Sequence, residues 1–355
     1  MTILWLNLMI VFVCSFFARY FATNIEQLPE KIKPNKILTF FALSSLVATS
    51  GLRSNIGDTF NYKNMYMDND FTLDYILSEK DYGFHFLQMI LKYLSDDPQI
   101  MLFTTALLTN SLIVIVIYHY SRMIELSLYV YITGGLFLVS MNGIRQMLAA
   151  AIAFTAIHYL VKGDFTRYFL IVLLASLFHQ SALILLPVYF IARAKPWSKT
   201  TVVIIVFSGL AVIGFDRFTD FLFVALENTQ YQSYENFDEG GSNVLRTVVA
   251  SVPLFIAYVG REKLQVIFPK SNYIVNMSLF GIVFMLISTQ SWIFARVSIY
   301  FELYQIILLS YVVKLFTKKD EKLIYYGILI CYFIYYYYEN VINLNIMYRS
   351  DFLKW

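Results

Sequence analysis

Long apolar runs separated by short polar segments are the main pattern of this chain. Most runs approach the length of about 20 residues that an α-helix needs to cross the hydrocarbon of a bilayer. The pattern predicts an all-α polytopic membrane protein with about 11 transmembrane helices, within a range of about 10 to 12. The predicted spans are Leu4–Tyr20, Ile37–Gly51, Ile100–Tyr118, Leu126–Met141, Ile144–Leu160, Tyr168–Phe190, Thr201–Phe215, Val244–Val259, Tyr273–Ser288, Val297–Phe316 and Leu323–Tyr338.

A further apolar stretch, Phe84–Leu94, is too short for a span and is predicted to be an interfacial or re-entrant helix. The first run carries no basic segment before it and no small-residue cleavage site, which predicts a retained span with its N-terminus outside. No repeat of fixed period and no soluble segment interrupts the series of spans. We therefore expect residues 1–355 to form a single integral membrane domain.

Two connections between predicted spans are long, at approximately residues 53–82 and 216–243, and both fall on the same side. Ordered loops of this length usually carry function. Tyrosines and asparagines such as Asn61, Tyr62 and Tyr231 would suit a carbohydrate site, although an interfacial aromatic belt is the simpler interpretation of any single tyrosine. The loops are also acidic, with Asp58, Asp68, Asp70, Asp74, Glu79 and Asp81 in the first and Asp216, Asp220, Glu227, Glu235, Asp238 and Glu239 in the second.

The distribution of charge predicts the orientation. Lysine and arginine accumulate on the cytoplasmic side of membrane proteins. Alternate assignment of the loops places most of the 27 basic residues on one side, which is therefore predicted to be cytoplasmic, and leaves the long acidic loops outside. The net charge of +3 thus reflects topology and gives no reason to expect nucleic acid as a partner.

The composition narrows the possible chemistry. A content of 59% hydrophobic and 14% charged residues, with a mean hydropathy of +0.61, excludes a water-soluble fold. Cys14 and Cys331 lie in apolar runs, which argues against a disulfide framework or a thiolate metal site. The chain has no Walker loop, dinucleotide glycine pattern, HExxH or CxxC. Acid pairs such as Asp68 and Asp70 could bind a divalent ion, but no further ligands of recognisable spacing accompany them. We expect no cofactor and no metal.

Four arginines lie at the edges of apolar runs on the predicted outer side: Arg53, Arg145, Arg246 and Arg296. A cation at the hydrocarbon boundary is costly unless it binds an anion, and the usual anion there is a phosphate. Arg145 also opens a helix, where free backbone N–H groups favour an anion. Any single arginine could instead extend to lipid headgroups. Four on the side normally depleted of cations favour a diphosphate site formed by Arg145, Arg296 and Arg246, with Arg53 as a fourth candidate.

His179 interrupts the apolar stretch Phe169–Ile191. Because Arg167 and Arg193 are both predicted to be cytoplasmic, the two halves around His179 are predicted to form a helical hairpin whose tip reaches the outer half of the membrane. There an imidazole can take a proton from an attacking sugar hydroxyl. Asp58 is the competing base, and a core histidine bonded to a neighbouring helix is the interpretation without catalysis.

Glu302 is the one carboxylate predicted to lie within a span, shortly after Arg296. An acid inside the membrane is a candidate for function, although neutralising a nearby arginine is its simpler role. The residues expected to bind sugar or to support the arginines are Tyr62, Asn142, Gln146, Tyr300 and Glu302.

Several short motifs follow one another in a fixed order. Gly51–Tyr62 reads GLRSNIGDTFNY, and Tyr82–Phe84 reads YGF. Asn142–Gln146 reads NGIRQ and opens an alanine-rich helix, Phe178–Ala182 reads FHQSA, and Arg296–Phe301 reads RVSIYF. In this order and topology the chain resembles, from about Gly51 to about Phe301, the EpsG family of exopolysaccharide and O-antigen polymerases, which is related in function to Wzy.

The resemblance implies a plasma-membrane glycosyltransferase with a GT-C-like helical architecture and an active site that faces outward. Its donor would be a polyprenyl diphosphate-linked oligosaccharide, typically the undecaprenyl form. The expected reaction is metal-independent, inverting transfer of a glycan onto the terminal sugar of another lipid-linked repeat unit. The resemblance also implies a flippase and a chain-length regulator as partners.

Other classes of protein remain as alternatives. A flippase or transporter for lipid-linked oligosaccharides would also need interior cations, but paired broken spans or pseudo-repeats would be expected and neither is found. An O-antigen ligase would share the donor and the arginines and differ in its acceptor. A polysaccharide acyltransferase would need an acyl donor and no diphosphate site.

Overall fold

The computed structural model describes residues 1–25, 28–225 and 240–353, whose regular secondary structure is helical apart from one β-hairpin. The hairpin pairs β1 (Thr23–Ile25) with β2 (Leu28–Lys33) in antiparallel register. Single turns of tighter or wider helix cover Gln180–Ile184, Val313–Leu315 and Tyr337–Asn343. The α-helices are α1 Thr2–Tyr20, α2 Lys36–Gly51, α3 Thr59–Asp68, α4 Leu73–Ser78, α5 Tyr82–Leu94, α6 Gln99–Tyr120, α7 Ile124–Thr133, α8 Leu136–Asn142, α9 Ile144–Thr155, α10 Ile157–Lys162, α11 Phe165–Phe178, α12 Leu185–Ala192, α13 Lys199–Ile213, α14 Phe215–Ala225, α15 Val244–Val259, α16 Arg261–Ile267, α17 Ser271–Ile287, α18 Ile293–Val312 and α19 Glu321–Tyr336.

The predicted apolar runs correspond to these helices, but they are not all of full spanning length. Four segments of the described chain are long and apolar enough to cross a membrane: Thr2–Tyr20, Gln99–Tyr120, Ile144–Lys162 and Ile293–Leu315. Two bent pairs, α7 with α8 and α15 with α16, raise that number to six if each pair is one span. Such pairs are broken spans or re-entrant loops, so the expected lack of broken spans does not argue against a flippase or transporter. Five further apolar helices have 10–17 residues. The all-α membrane class is therefore confirmed, whereas the total of about 11 spans and the GT-C-like arrangement stay predictions.

Helix ends follow ordinary capping chemistry. The side chain of Asn35 accepts hydrogen bonds from the N–H groups of Ile37 and Leu38 at the start of α2, and Asp164 accepts one from Arg167 N–H at the start of α11. These side chains satisfy N–H groups that have no partner within the helix. The chain breaks between α7 and α8 at Gly135, whose φ of +98° lies in the left-handed region that glycine adopts most readily. The predicted span Leu126–Met141 is consequently two helices that meet at 54°.

The chain divides into two compact units, Met1–Tyr189 with Leu309–Trp355, and Phe190–Leu308. In the first unit, α1 packs against α2 and α7, and α6 packs against α2 and α9. Helix α9 also packs against α11, and α19 against α7. Buried side chains such as Leu46, Ile113 and Leu148 fill the contacts between these helices.

The second unit is built on α17, which packs against α13 and α15. Its N-terminal half is fixed by Asn276, whose side-chain amide donates to the carbonyls of Ala192 and Ala194. Its C-terminal end is fixed by Ser288, whose carbonyl accepts a hydrogen bond from Ser242 N–H at 2.7 Å.

The loops of the first unit separate into two groups at opposite helix ends, as the predicted alternation requires. At one end, Tyr118 O–H donates to the Pro34 carbonyl, and Arg19 pairs with the buried Glu125 at 2.7 Å. The first long loop, with Asp81, meets the starts and ends of other helices at the opposite end. Which end faces outward stays a prediction.

The first long loop is folded rather than extended. It contains α3, α4 and α5, and the predicted interfacial stretch Phe84–Leu94 is helical as part of α5. Its core is an aromatic cluster in which Tyr66 O–H donates to Ser95 C=O at 2.8 Å, and the Phe71 ring packs on Tyr66 and His85. The second long loop begins as α14. The acids predicted at Glu227, Glu235, Asp238 and Glu239, and Tyr231, lie outside the described residues.

Candidate functional site

The buried carboxylate of Asp81 is the meeting point of three chain segments. Asp81 immediately precedes α5, and only 3% of its side chain is exposed. Its φ of +61° is left-handed, a conformation that Asp and Asn tolerate better than most residues. The loop therefore directs this carboxylate inward, toward α9 and α11.

Both oxygens of Asp81 accept hydrogen bonds. Oδ2 lies 3.1 Å from His179 Nδ1 and 3.2 Å from Arg145 Nη1, while Oδ1 accepts the N–H of Gln180 at 3.1 Å. Two residues singled out from the sequence, Arg145 and His179, are thus joined through a third. They also remain accessible, with 35% of the Arg145 side chain and 21% of the His179 side chain exposed.

The chain reverses direction at His179, which confirms the predicted helical hairpin. Helix α11 ends at Phe178, and His179 has extended backbone angles. Past this point the chain returns along α11, because Tyr168 O–H donates to Leu185 C=O at 3.2 Å and the Tyr189 ring packs on the Tyr168 ring at 4.8 Å. His179 therefore lies at the tip of the hairpin.

A close approach of α5 to α11 sets the distance between Asp81 and His179. A Cβ atom on Gly83 would meet the Cβ of Leu177 at 3.0 Å and its backbone at 3.1 Å. Because both contacts are tighter than ordinary van der Waals spacing, a residue without a side chain fits best here. Gly83 and Leu177 each lie two positions from the residues that they bring together.

Opposing effects act on the ionisation of Asp81. Burial raises the pKa of its carboxyl group, but the hydrogen bond and charge of His179, the charge of Arg145 and the N–H of Gln180 outweigh burial, so the net pKa lies below its ordinary value. The carboxylate is consequently ionised at neutral pH. Arg145 contacts Tyr62 as well as Asp81. Its guanidinium carbon lies 5.9 Å from the centre of the buried Tyr62 ring, a cation–π contact.

Asp58 lies beside the start of α9. Its N–H donates to the Asn142 side-chain oxygen at 2.9 Å, which places the predicted alternative base near the residues that open this helix. The Asp58 carboxylate is partly exposed and has Asn61 as a neighbour at 3.5 Å. Gln146, a further predicted supporting residue, is buried in the first turns of α9.

Arg53 differs from the other predicted diphosphate ligands. It is 1% exposed and donates to the carbonyls of Ser50 and Met141 and to the hydroxyl of Thr59. Ser50 and Met141 lie at the C-terminal ends of α2 and α8, where unpaired carbonyls and the helix dipole favour a cation. This placement favours a structural role that joins two helix ends, because the guanidinium is enclosed by protein.

The C-terminal segment holds the loop that follows Arg53, a feature that the sequence did not indicate. The Asn55 side chain donates to Met347 C=O at 2.5 Å and accepts from Arg349 N–H at 2.7 Å. Ser54 N–H donates to Arg349 C=O at 2.9 Å, and Tyr348 O–H donates to Thr49 C=O at 2.8 Å. Residues 347–349 thus support the loop between Arg53 and Asp58.

The remaining predicted residues belong to the second unit. Arg246 lies in the first turn of α15, close enough to Glu302 for their charges to interact, and the neutralising role of this acid stays a prediction. Glu302 also accepts a hydrogen bond from Ser298. Arg296 is exposed and stacks 4.4 Å from the Trp292 ring, whereas Tyr300 is buried.

Asp81 is the residue that sequence reasoning missed as a member of the site. It was visible only as one of six acids in the first loop, and the signal that could have selected it is its position directly before the Tyr82–Phe84 motif. In residues 1–25, 28–225 and 240–353, no group of three or more His, Cys, Asp and Glu side chains is placed to hold a metal ion.

Comparison with known proteins identifies a family for this chain. Neither the curated proteins nor the solved structures include a protein with significant similarity to this chain. The family model described as the EpsG family matches residues 36–350, a range that includes the Arg53–Asp58 loop, Asp81, Arg145, His179 and the C-terminal support. The chain therefore belongs to the EpsG family, a family of Wzy-like polysaccharide polymerases of the membrane.

Proposed function

We propose that the protein transfers a glycan from one polyprenyl diphosphate onto the terminal sugar of another lipid-linked repeat unit. The observation that carries this proposal is that Arg145 and His179 share one oxygen of Asp81, so that an anion-binding cation and a proton acceptor lie side by side. Family membership supports polysaccharide polymerisation in general. The proposal that the donor is lipid-linked through a diphosphate comes from the chemistry of the site.

Arg145 is the proposed ligand of the diphosphate. It lies in the first turn of α9, and it is partly exposed while Asp81 and Tyr62 hold it in place. Negative charge grows on the leaving diphosphate as the glycosidic bond breaks, and a guanidinium fixed beforehand stabilises that charge without reorganisation. Arg246 and Arg296 stay proposed as further diphosphate ligands from the charge pattern of the sequence.

His179 is the proposed general base, with Asp58 as the alternative. The oxygen of an acceptor sugar hydroxyl attacks C1 of the donor sugar, the bond between C1 and the phosphate oxygen breaks, and the hydroxyl proton passes to the base. The products are the lengthened lipid-linked glycan and free polyprenyl diphosphate. This single displacement inverts the configuration at C1 and requires no metal, because the arginine neutralises the leaving group.

A polymerisation assay tests the proposal directly. Purified protein in nanodiscs would be supplied with a polyprenyl diphosphate-linked repeat unit matched to the host's glycan, and the products would be separated by size. We expect a ladder from the parent and none from Arg145→Ala or His179→Ala. Matched controls are Arg167→Ala and His119→Ala, which alter an exposed arginine and an exposed histidine elsewhere in the chain.

The same assay separates the alternatives. Consumption of donor with transfer of a single unit to a different acceptor would indicate a ligase. Movement of intact donor across the bilayer of a proteoliposome, with no consumption, would indicate a flippase. Absence of donor consumption by the correctly folded parent, with every matched repeat unit, would contradict the proposed function.

A further inference from the structure

We infer that Asp81 is a positioning residue that fixes the tautomer of His179 and the direction of Arg145. This inference rests on the proposed function, because it assigns His179 a task at the same site. Asp81 itself is 3% exposed, so it acts through its two partners rather than by touching substrate.

The hydrogen bond to His179 determines which ring nitrogen can accept a proton. An ionised carboxylate has only acceptor oxygens, so the Nδ1 atom at 3.1 Å must carry the hydrogen. In neutral imidazole the other nitrogen, Nε2, is then unprotonated and available as a base. When Nε2 takes the acceptor proton, the ring becomes an imidazolium, and the adjacent carboxylate stabilises that charge while remaining ionised.

The other contacts of Asp81 hold the carboxylate in the required orientation. Gln180 N–H binds Oδ1, which leaves Oδ2 toward both His179 and Arg145. The two donors, His179 and Arg145, therefore compete for one oxygen. When Arg145 binds the diphosphate, the interaction of its guanidinium with Asp81 Oδ2 weakens. The hydrogen bond between Oδ2 and His179 Nδ1 then strengthens. Donor binding and base strength are linked through the same atom.

The substitution Asp81→Asn separates positioning from folding. Asparagine has nearly the same shape, tolerates the φ of +61°, and can still accept Gln180 N–H through its oxygen. Its amide nitrogen would replace Oδ2 and donate to Nδ1, so the hydrogen would move to Nε2. We expect kcat to fall by about a hundredfold or more, the usual contribution of a general base. The matched control is Glu79→Gln, which removes one exposed charge from the same loop.

The tautomer can be measured without any turnover. Protein labelled with ¹⁵N-histidine, at about pH 8 where ordinary imidazoles are neutral, should give a signal from the His179 ring with its hydrogen on Nδ1. The loss of that signal in His179→Gln would assign it among the four histidines of the chain. In Asp81→Asn the assigned ring should carry its hydrogen on Nε2.

Each outcome bears on the inference. A parent spectrum with the His179 hydrogen on Nε2 would overturn it, even if Asp81→Asn does not fold. So would an Asp81→Asn enzyme whose kcat stays within about threefold of the parent. If the parent makes no polymer, the proposed function fails, but the nitrogen signals still show whether Asp81 sets the tautomer.

Discussion

The side-chain oxygen of Asn142 lies 2.9 Å from the backbone nitrogen of Asp58, and this hydrogen bond joins the first long loop to the start of α9. It forms because Gly57, with a φ of +51°, lets the loop approach closely. A Cβ atom on Gly57 would lie 2.0 Å from that oxygen. The approach depends on glycine for two independent reasons, the backbone angle and the lack of space.

Replacement of Gly57 by alanine is therefore expected to abolish polymerisation and to lower the midpoint of thermal unfolding. The left-handed angle alone costs roughly 1–2 kcal/mol in a residue with a Cβ, and the contact with Asn142 adds to this cost. The matched control is Gly135→Ala, because Gly135 also has a positive φ but no atom within 4 Å of the added Cβ.

Adding Asn142→Gly to Gly57→Ala removes the contact and leaves the strained angle. The double variant should therefore be more stable than the sum of the two single effects predicts. Strict additivity of the unfolding midpoints would show that the clash with Asn142 does not determine the cost.

Arg53 and Arg145 should respond oppositely to substitution, although both were predicted to bind diphosphate. Arg53→Met leaves buried carbonyls at the ends of α2 and α8 unpaired, which costs about 1–3 kcal/mol for each group. We expect a lower unfolding midpoint for Arg53→Met. Arg145→Ala should lower the midpoint less than Arg53→Met, because the Asp81 carboxylate keeps His179 and Gln180 as donors. It should bind polyprenyl diphosphate about 10- to 100-fold more weakly, the scale of one lost hydrogen bond to a charged group.

Thermal unfolding and calorimetric titration of polyprenyl diphosphate would be measured on the same two preparations. Arg167→Ala, which alters a largely exposed arginine in α11, serves as the control for charge alone. A stable Arg53→Met protein with impaired diphosphate binding would contradict the structural role and indicate that Arg53 binds the anion.

Acid should destabilise the aromatic cluster around His85. Burial lowers the pKa of His85, and the nearby charge of Arg145 lowers it further, against smaller opposing effects of Glu79, Asp81 and a hydrogen bond with Gln88. His85 therefore binds a proton more readily in the unfolded chain than in the folded protein. The stability that neutral His85 provides is complete above about pH 6.5 and is lost as the pH falls toward and through the lowered pKa.

The variant His85→Phe keeps an aromatic ring against Phe71 and Tyr75 and cannot be protonated. The unfolding midpoint of His85→Phe, relative to that of the parent, should rise as the pH is lowered from about 7.5 to 5. His119→Phe, at an exposed position in α6, should follow the parent over the same range. Parallel curves for the parent and His85→Phe would show that His85 does not titrate within the cluster.

Loss of the Asn55 side chain should detach the C-terminal segment. Asn55→Ala removes two hydrogen bonds, to Met347 and from Arg349, each worth about 1 kcal/mol. We expect faster hydrogen exchange at the amide of Arg349 and reduced polymerisation, because the loop that carries Asp58 loses its support. Asn69→Ala is the control, since the Asn69 side chain belongs to the same long loop but donates to Met65 C=O and not to residues 347–349. Unchanged exchange in Asn55→Ala would show that the segment is held by other contacts.

The site should face the outside of the cell. In a background of Cys14→Ser and Cys331→Ser, a thiol introduced by Asn61→Cys should react with an impermeant maleimide in intact spheroplasts. A thiol introduced by Lys318→Cys should react only after permeabilisation. Both positions are exposed on the protein, so the maleimide can distinguish them only by the side of the membrane on which they lie. The reverse labelling pattern would invert the predicted topology, which rests on the positive-inside distribution of charge.

The amino-acid sequence by itself determined the long apolar helices of this protein, but it did not indicate the β-hairpin or the loop helices α3 and α4. Apolar runs against charged loops predicted the helices within a few residues at most ends, because transfer of side chains into lipid depends on composition and length. It also selected Arg145 and His179, since a charged or titratable group at the edge of an apolar run stands out. The hairpin that turns at His179 followed from the positions of Arg167 and Arg193.

The tertiary structure decided which of these groups act together. Asp81 was one acid among several until the folding of α5 against α11 brought it to His179 and Arg145. Arg53 matched the pattern of an anion ligand, yet it is buried between two helix ends. Contacts of this kind join residues far apart in the chain, and they depend on backbone angles and close packing that no local pattern of hydrophobic and polar residues encodes.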